Sequence, residues 1–189
     1  MSFMAKVILG VTISLDGFAE DRSGSVGALY PDLDTLANTE VMREAIENCG
    51  AVIMSWKEFA MADNSDWYAG NYEFQVPIFV FTDKAPKKHP KETDKLSFTF
   101  VTDGIESAAR QAKAAADHKD VQIIGSASTV QQFLQKGLAD ELQIDIIPIF
   151  LHEGSRPFEN LSNKTIKLER IKVVELPAGR THLRFRVIK

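Results

Sequence analysis

Apolar and polar residues alternate with two different periods along this chain. Short runs rich in Val, Ile and Phe are bounded by turn residues, and they predict strands at 6–14, 51–54, 77–82 and 97–101. Apolar residues also recur at helical spacing, which predicts helices at 33–47 and 105–116. We expect Gly50 to end the first helix, and Thr102 or Asp103 to cap the second.

The segment 121–150 contains the most informative succession of elements. It reads as a buried strand, a turn of small residues, an amphipathic helix, a glycine and a second strand. The turn at 125–129 would leave backbone N–H groups at a helix N-terminus, where oriented amides and the helix dipole stabilise a phosphate. Gly125 would allow a ligand to approach the backbone closely. An ordinary capped turn uses the same residues, so both interpretations remain open.

The last third of the chain predicts two long alternating strands, at 165–176 and 181–188, joined by a hairpin turn at 177–179. The whole pattern predicts one α/β domain over residues 1–189, with a mostly parallel central sheet that finishes in this antiparallel hairpin. The apolar residues of the hairpin suit two roles. They could form the interface of a homodimer, or they could cover the protein's own core.

Composition narrows the class of protein. Hydrophobic residues make up 44% of the chain and charged residues 25%, as in ordinary globular proteins. The net charge of −4 and the lack of a Lys/Arg-rich block argue against a nucleic-acid partner. A single cysteine, Cys49, excludes an internal disulfide framework and fits a reducing cytoplasm. No apolar run is long enough to span a bilayer, and the opening MSFMAKVILG lacks a charged leader region, so we expect a cytoplasmic protein with no membrane partner.

Several catalytic classes lack their motifs in this sequence. There is no Walker A signature, no GxGxxG and no GxSxG nucleophile elbow. The four histidines stand far apart, without HxxxH or HExxH spacing, at His89, His118, His152 and His182. A metal site is therefore not expected.

A family resemblance covers nearly the whole chain. The run from Ser14 to Phe18, SLDGF, resembles the S-L-D-G-F/Y signature of the dihydrofolate reductase-like superfamily. The residues GSASTV from Gly125, followed by GLADEL from Gly137 and then by Pro148, are similar to the branch related to the reductase domain of bacterial riboflavin biosynthesis. The closing THLRF resembles the last strand of that branch. The resemblance implies a three-layer dihydrofolate reductase-like fold.

The resemblance also implies a nicotinamide cofactor, NADPH with NADH possible, across the carboxyl edge of the sheet. The backbone near Val11 and Thr12 would face the nicotinamide carboxamide. Asp16 and Gly17 would begin a loop that closes over the nicotinamide, although a simple turn also explains them. The pyrophosphate would meet the backbone of Gly125, Ser126, Ala127, Ser128 and Thr129.

The reaction that the resemblance implies is hydride transfer to a C=N bond of a small pterin-like or pyrimidine-like heterocycle. Protonation of the accepting nitrogen makes a nearby carboxylate useful. The candidate catalytic carboxylates are Asp16, Asp32 with Asp34 beside it, and Glu153. Each has a structural alternative: Asp32 and Asp34 could cap a helix, and Glu153 could lie in an exposed loop.

The sequence departs from the family pattern at the second strand. Where the family usually carries M-G-R, this chain has Met54, Ser55 and Trp56, followed by Lys57. The missing Arg normally meets the adenosine phosphates, and neither Trp56 nor the point charge of Lys57 reproduces its planar fork. Two hypotheses follow. The protein is an NADPH-dependent reductase with a weakened preference for NADPH, or it keeps the fold as a small-ligand or nucleotide binder with lost or altered cofactor use.

Overall fold

The computed structural model describes residues 5–161 and 165–189. Residues 1–4, which belong to the opening stretch considered above as a leader, lie outside the described residues. The described strands form a mostly parallel sheet, and the strand of the C-terminal hairpin that follows residues 177–179 runs antiparallel to its neighbours. The predicted fold class, an α/β fold with a mostly parallel sheet and a C-terminal antiparallel hairpin, is confirmed.

The strands and helices have the following bounds. The strands are β1 Val7–Ser14, β2 Cys49–Ser55, β3 Ile78–Phe81, β4 Phe98–Val101, β5 Asp120–Ile124, β6 Glu141–Ile147, β7 Lys167–Glu175 and β8 Thr181–Ile188. The helices are α1 Leu33–Leu36, α2 Glu40–Asn48, α3 Trp56–Phe59, α4 Tyr68–Asn71, α5 Ile105–Ala115 and α6 Ala127–Gln135. None of the described helices has the length and apolar character needed to cross a membrane.

The described residues divide into two compact units, so the single domain stays a prediction. The first unit comprises the described residues up to Val7 together with Ile46–Ile124. Its strands β2, β3, β4 and β5 are parallel neighbours, because apolar runs buried on both faces suit a parallel sheet covered by helices. Ala51, Val52 and Ile53 are completely buried, and α5 packs on β2 and β3.

The second unit comprises Ile8–Ala45 and Gly125–Lys189. Here β1 pairs in parallel with β6, and β6 pairs antiparallel with β8, which in turn pairs with β7. Residues opposite one another in neighbouring strands share a face of the sheet. One such row is apolar, Val11, Ile144, Leu183 and Val173, and the adjacent row on the opposite face is Thr12, Asp145, His182 and Val174.

Three local predictions were wrong. The helix expected at 33–47 is two helices, because the Thr39 hydroxyl accepts a hydrogen bond from the Met42 N–H at 3.3 Å and so starts a new helix. Gly50 lies in β2 instead of ending a helix. The α5 N-cap is Gly104, with a φ of 102° and no side-chain cap, so neither Thr102 nor Asp103 takes that role.

Gly50 has a packing role that yields a test. A Cβ at this position would lie 2.4 Å from the Ala116 carbonyl oxygen and 2.8 Å from Lys119 Cβ. We therefore expect Gly50→Ala to lower the free energy of unfolding by about 1 to 3 kcal/mol, as overpacking does. The control is Gly27→Ala, where the nearest atom is a serine Oγ at 3.5 Å. Urea denaturation of both variants measures the difference, and equal stability would contradict the packing role.

Candidate functional site

A buried guanidinium, that of Arg180, organises the polar face of the second unit. Arg180 follows the hairpin turn before β8, and its side chain is 0% exposed. Its Nη2 and Nε donate to the two carboxylate oxygens of Asp32, at 2.6 and 2.9 Å, which is the bidentate geometry preferred by Arg and carboxylate. Nη2 also donates to the Leu29 carbonyl at 3.0 Å. Arg180 thus connects β8 to the start of α1.

Two further residues extend the network along neighbouring strands. Asp145 of β6 accepts from Arg180 Nη1 at 3.3 Å and lies 2.7 Å from His182 Nδ1. The sheet register places Asp145 directly opposite His182, which explains the contact. No hydrogen bond within residues 5–161 and 165–189 involves the other ring nitrogen, Nε2, and the His182 side chain is 5% exposed.

The network is completed by two hydroxyl groups. The Tyr30 hydroxyl donates to Thr12 Oγ1 at 3.1 Å, and Arg180 Nη1 lies 3.5 Å from the same oxygen. The Arg180 guanidinium carbon lies 5.4 Å from the centre of the Tyr30 ring. We call this set the Arg180 cluster, and its members are Thr12, Tyr30, Asp32, Asp145, Arg180 and His182.

The charges within the Arg180 cluster stabilise one another. The hydrogen bond from Arg180 holds the pKa of Asp32 below its usual range despite burial. Burial lowers the pKa of Arg180, but its bond to Asp32 and the charge of Asp145 outweigh that effect and raise it. One guanidinium serves two carboxylates, so the cluster carries one net negative charge when His182 is neutral. A histidine held by a carboxylate through Nδ1 can exchange a proton through Nε2.

Asp16 fixes the loop after β1. Its carboxylate accepts from the Ser14 hydroxyl at 2.6 Å, from the Leu151 N–H at 3.1 Å and from the His152 N–H at 2.9 Å. Partial desolvation raises the pKa of Asp16, but these hydrogen bonds outweigh it and lower the pKa to about 2. Asp16 therefore holds two segments of backbone together.

A second connection joins the same two loops. Glu20 and Ser155 form an antiparallel bridge, and the Ser155 hydroxyl donates to Glu20 Oε1 at 2.7 Å. A Cβ at Gly154 would lie 1.9 Å from the Glu20 carbonyl oxygen, so this approach requires glycine. Glu153, a predicted catalytic residue, lies beside this bridge with its side chain 60% exposed and 3.6 Å from Arg22.

The turn before α6 is compatible with both interpretations of residues 125–129, a phosphate-binding turn and an ordinary capped turn. A Cβ on Gly125 would lie 2.4 Å from Thr129 Cβ, so Gly125 has a packing role of its own. Ser126 is the N-cap residue, and its hydroxyl lies 3.3 Å from the exposed Ser128 hydroxyl. Ala127 and Thr129 are buried. The turn thus presents two hydroxyls beside the first-turn N–H groups of a nine-residue helix.

Ser55, Trp56 and Lys57, which stand where the family meets the adenosine phosphates, lie in the first unit. Ser55 caps α3 by accepting from the Lys57 N–H at 3.1 Å, and the Glu58 carboxylate bonds back to both the Ser55 N–H and its hydroxyl. The Trp56 side chain packs against Phe59 and Phe100, yet Trp56 remains 40% exposed. Ser55 therefore has a structural role, while Trp56 offers an exposed aromatic face.

Of the predicted residues, the second unit brings Thr12 and Asp32 together in the Arg180 cluster. Val11 lies on the opposite face of β1, and Asp16 and Glu153 lie in the loops described above. Sequence reasoning missed Tyr30, Asp145, Arg180 and His182. The available signal was polar residues at inward positions of otherwise apolar strands, IDII in β6 and THLRF in β8. All predicted site assignments stay predictions.

Comparison with known proteins gives consistent results. A family model described as the RibD C-terminal domain matches residues 5–181. The uncharacterized protein YyaP of Bacillus subtilis (strain 168) is 25% identical over 167 residues, which cover 84% of this chain and 83% of YyaP.

The solved structures that resemble the fold include the following two. One is a putative riboflavin biosynthesis protein from Shewanella sp. PV-4, with a TM-score of 0.77, 20% identity and coverage of 97% of this chain and 99% of that one. The other is dihydrofolate reductase from Enterococcus faecalis complexed with NADP(H), with a TM-score of 0.61, 11% identity and full coverage of both chains. At these identities the likeness shows the fold alone.

Removing the Arg180 guanidinium tests the cluster. We expect Arg180→Met to lower the free energy of unfolding by about 3 to 5 kcal/mol, because it leaves the buried carboxylate of Asp32 without its partner. Arg186→Met is the matched control, since Arg186 pairs with Glu169 where both side chains are 55% exposed. We expect the control to cost less than about 1 kcal/mol. Equal losses in denaturant unfolding would contradict the role given to Arg180.

The lowered pKa of Asp16 predicts acid sensitivity. Asp16 has a pKa of 3.8 when unfolded and about 2 when folded, so its ionised form stabilises the fold fully at pH values above 3.8. This stabilisation is lost as the pH falls from 3.8 to about 2. We therefore expect Asp16→Asn to flatten the fall in stability between these two pH values. Asp63→Asn, at an exposed carboxylate, is the control. Denaturant titrations across this pH range measure the slope, and an unchanged slope in Asp16→Asn would refute the assignment.

Proposed function

Because the chain belongs to the RibD C-terminal domain family, we propose that it is a reductase that transfers a hydride from NADPH to a C=N bond of a small pterin-like or pyrimidine-like heterocycle. The observation that carries this proposal is the family match over residues 5–181. The fold it shares with a dihydrofolate reductase bound to NADP(H) supports the cofactor class. We place the reaction in the cytoplasm, which the single buried cysteine, Cys49, favours.

The donors around α6 fit a dinucleotide pyrophosphate. The first-turn N–H groups have no partner within the helix, and the helix dipole adds positive potential there. The hydroxyls of Ser126 and Ser128 lie 3.3 Å apart beside these N–H groups, and one of them donates to the other. NADPH would supply the hydride, while the protein supplies orientation. The loop containing Asp16 and Gly17, fixed by the Glu20–Ser155 bridge, would exclude water.

The Arg180 cluster suggests how the accepting nitrogen receives its proton. Asp32 is 2% exposed and uses both oxygens on Arg180, so it serves as a positioning residue. His182 is oriented by Asp145 through Nδ1 and is the stronger candidate for proton donor, which it would be as an imidazolium that gives up the proton on Nε2. Glu153 lies on the surface and contributes least under this proposal.

A second candidate function, ligand binding without cofactor turnover, is favoured by one observation. Ser55, Trp56 and Lys57 provide a capping residue, an indole and one flexible ammonium, but no guanidinium for a 2′-phosphate. The same observation predicts a weakened preference for NADPH over NADH if the protein is a reductase.

Cofactor titration separates the two functions. Trp56 and Trp67 are 40% and 48% exposed, so quenching of their fluorescence can report binding. We expect saturable binding of NADPH. We expect the affinity for NADH to lie within about tenfold of it, or roughly 1.4 kcal/mol, because Ser55, Trp56 and Lys57 offer no guanidinium for the 2′-phosphate. No saturable binding at about 1 mM of either cofactor would end the reductase proposal and leave the binding protein.

A matched pair of variants links this binding to α6. Ser128→Glu places a negative charge in the first turn, where it repels a phosphate, so we expect NADPH affinity to fall by about tenfold or more. Gln132→Glu adds the same charge at an exposed position one turn farther along the helix, and we expect a smaller loss. Equal effects of the two substitutions would argue against pyrophosphate binding at this turn.

A further inference from the structure

Arg156, an exposed residue in the loop after β6, lies beside α6. The Gln131 side chain donates from Nε2 to the Arg156 carbonyl at 2.8 Å, which fixes the backbone of the loop against the helix. Gln131 follows Ser128 by three positions, and residues three apart are neighbours on the surface of a helix. The Arg156 backbone is therefore held against the face of α6 that also carries Ser128.

The Arg156 side chain reaches from this position to the loop that follows β1. Its guanidinium carbon lies 4.0 Å from the centre of the Phe18 ring, which is cation–π geometry. Phe18 is buried, so its ring is a rigid support for the guanidinium. Arg156 Nη1 also lies 3.2 Å from the place that a Cβ on Gly17 would take, so a glycine leaves room for it. The charge is thus placed at the start of the loop proposed to exclude water.

The guanidinium of Arg156 has donors to spare. A guanidinium carries five N–H donors, and within residues 5–161 and 165–189 that of Arg156 donates no hydrogen bond and joins no ion pair. The loop carboxylates of Asp16, Glu20 and Glu153 are engaged by other donors, and the first turn of α6 has no acidic residue. An oriented guanidinium in this state matches the oxygens of a phosphate, because its planar fork can bond two of them at once.

We propose that Arg156 binds the pyrophosphate of the nicotinamide cofactor together with the first-turn N–H groups of α6. This inference rests on the proposed function, since it takes the phosphate to belong to NADPH or NADH. The chain lacks the guanidinium that the family usually carries where Trp56 stands, and Arg156 provides one in the second unit. Both cofactors contain the pyrophosphate, so Arg156 raises the affinity for each alike and does not select between them. Arg156 positions the cofactor and takes no part in the transfer of hydride or proton.

The test is calorimetric titration of the full chain with NADPH and, separately, with NADH. We expect Arg156→Met to lower the affinity for both cofactors by about tenfold or more, because it removes charge-assisted hydrogen bonds to the pyrophosphate. Arg156→Lys should recover part of the loss, since an ammonium keeps the charge without the planar fork. The matched control is Arg22→Met, because Arg22 is an exposed arginine that pairs with Glu153. It should change either affinity by less than about twofold.

The dependence of binding on ionic strength gives a second readout. Salt screens the attraction between a cation and a phosphate, so the affinity of the wild-type chain for NADPH should fall as salt is added. The affinity of Arg156→Met should fall less steeply, whereas a variant that had only disturbed the loop would keep the wild-type slope. Urea denaturation should give the same free energy of unfolding for Arg156→Met and wild type within about 0.5 kcal/mol, because the side chain is exposed.

The outcomes separate the role of Arg156 from the reductase proposal. A wild-type chain that binds neither cofactor overturns both. If the wild-type chain binds cofactor and Arg156→Met binds it equally well, the role of Arg156 alone is overturned. An equal loss in Arg22→Met also overturns it, since the effect would then belong to the general charge of the loops. A loss confined to NADPH would assign Arg156 to the 2′-phosphate and contradict the pyrophosphate contact.

Discussion

The buried guanidinium of Arg180 is the constraint on which the second unit depends. A charged group with no exposure to water must find its hydrogen bonds inside the protein, and Arg180 finds them on Asp32, Asp145 and the Leu29 carbonyl. Leu29 and Asp32 lie in the segment that enters α1, whereas Asp145 lies in β6. The hairpin turn, β6 and the entry to α1 therefore have to take up one mutual arrangement before the charge is satisfied.

Strands β6 and β8 carry polar side chains on one face of the sheet and apolar side chains on the other. Because side chains alternate along a strand, Asp145 and His182 fall on one face while Ile144 and Leu183 fall on the other. The polar face gathers the groups able to orient a ligand and exchange a proton. The apolar face remains exposed at the outer strand, where Val173 is 50% exposed. Both features follow from the alternation in β6 and β8.

Sequence reasoning succeeded where the alternation of apolar and polar residues is clear, and it failed where one side-chain hydrogen bond or one tertiary contact decides the structure. The boundaries of β8 were predicted to the residue, because THLRFRVI alternates clearly and comes shortly after the turn residues Pro177 and Gly179. The helix at 33–47 was wrong, since a local hydroxyl bond from Thr39 outweighed a continuous apolar spacing. Gly50 looked like a helix end but serves as a contact point for the Ala116 carbonyl, which no spacing reveals.

The sequence by itself determined the order of the strands and of helices α5 and α6, the mostly parallel sheet and the resemblance to dihydrofolate reductase-like proteins, because periodicity and short motifs are properties of neighbouring residues. Only the tertiary structure decided the candidate site. Arg180 and Asp32 are 148 positions apart, and Asp145 meets His182 only through the register of β6 and β8. Which buried charges meet is set by strand register and packing, and single-residue patterns carry no information about either.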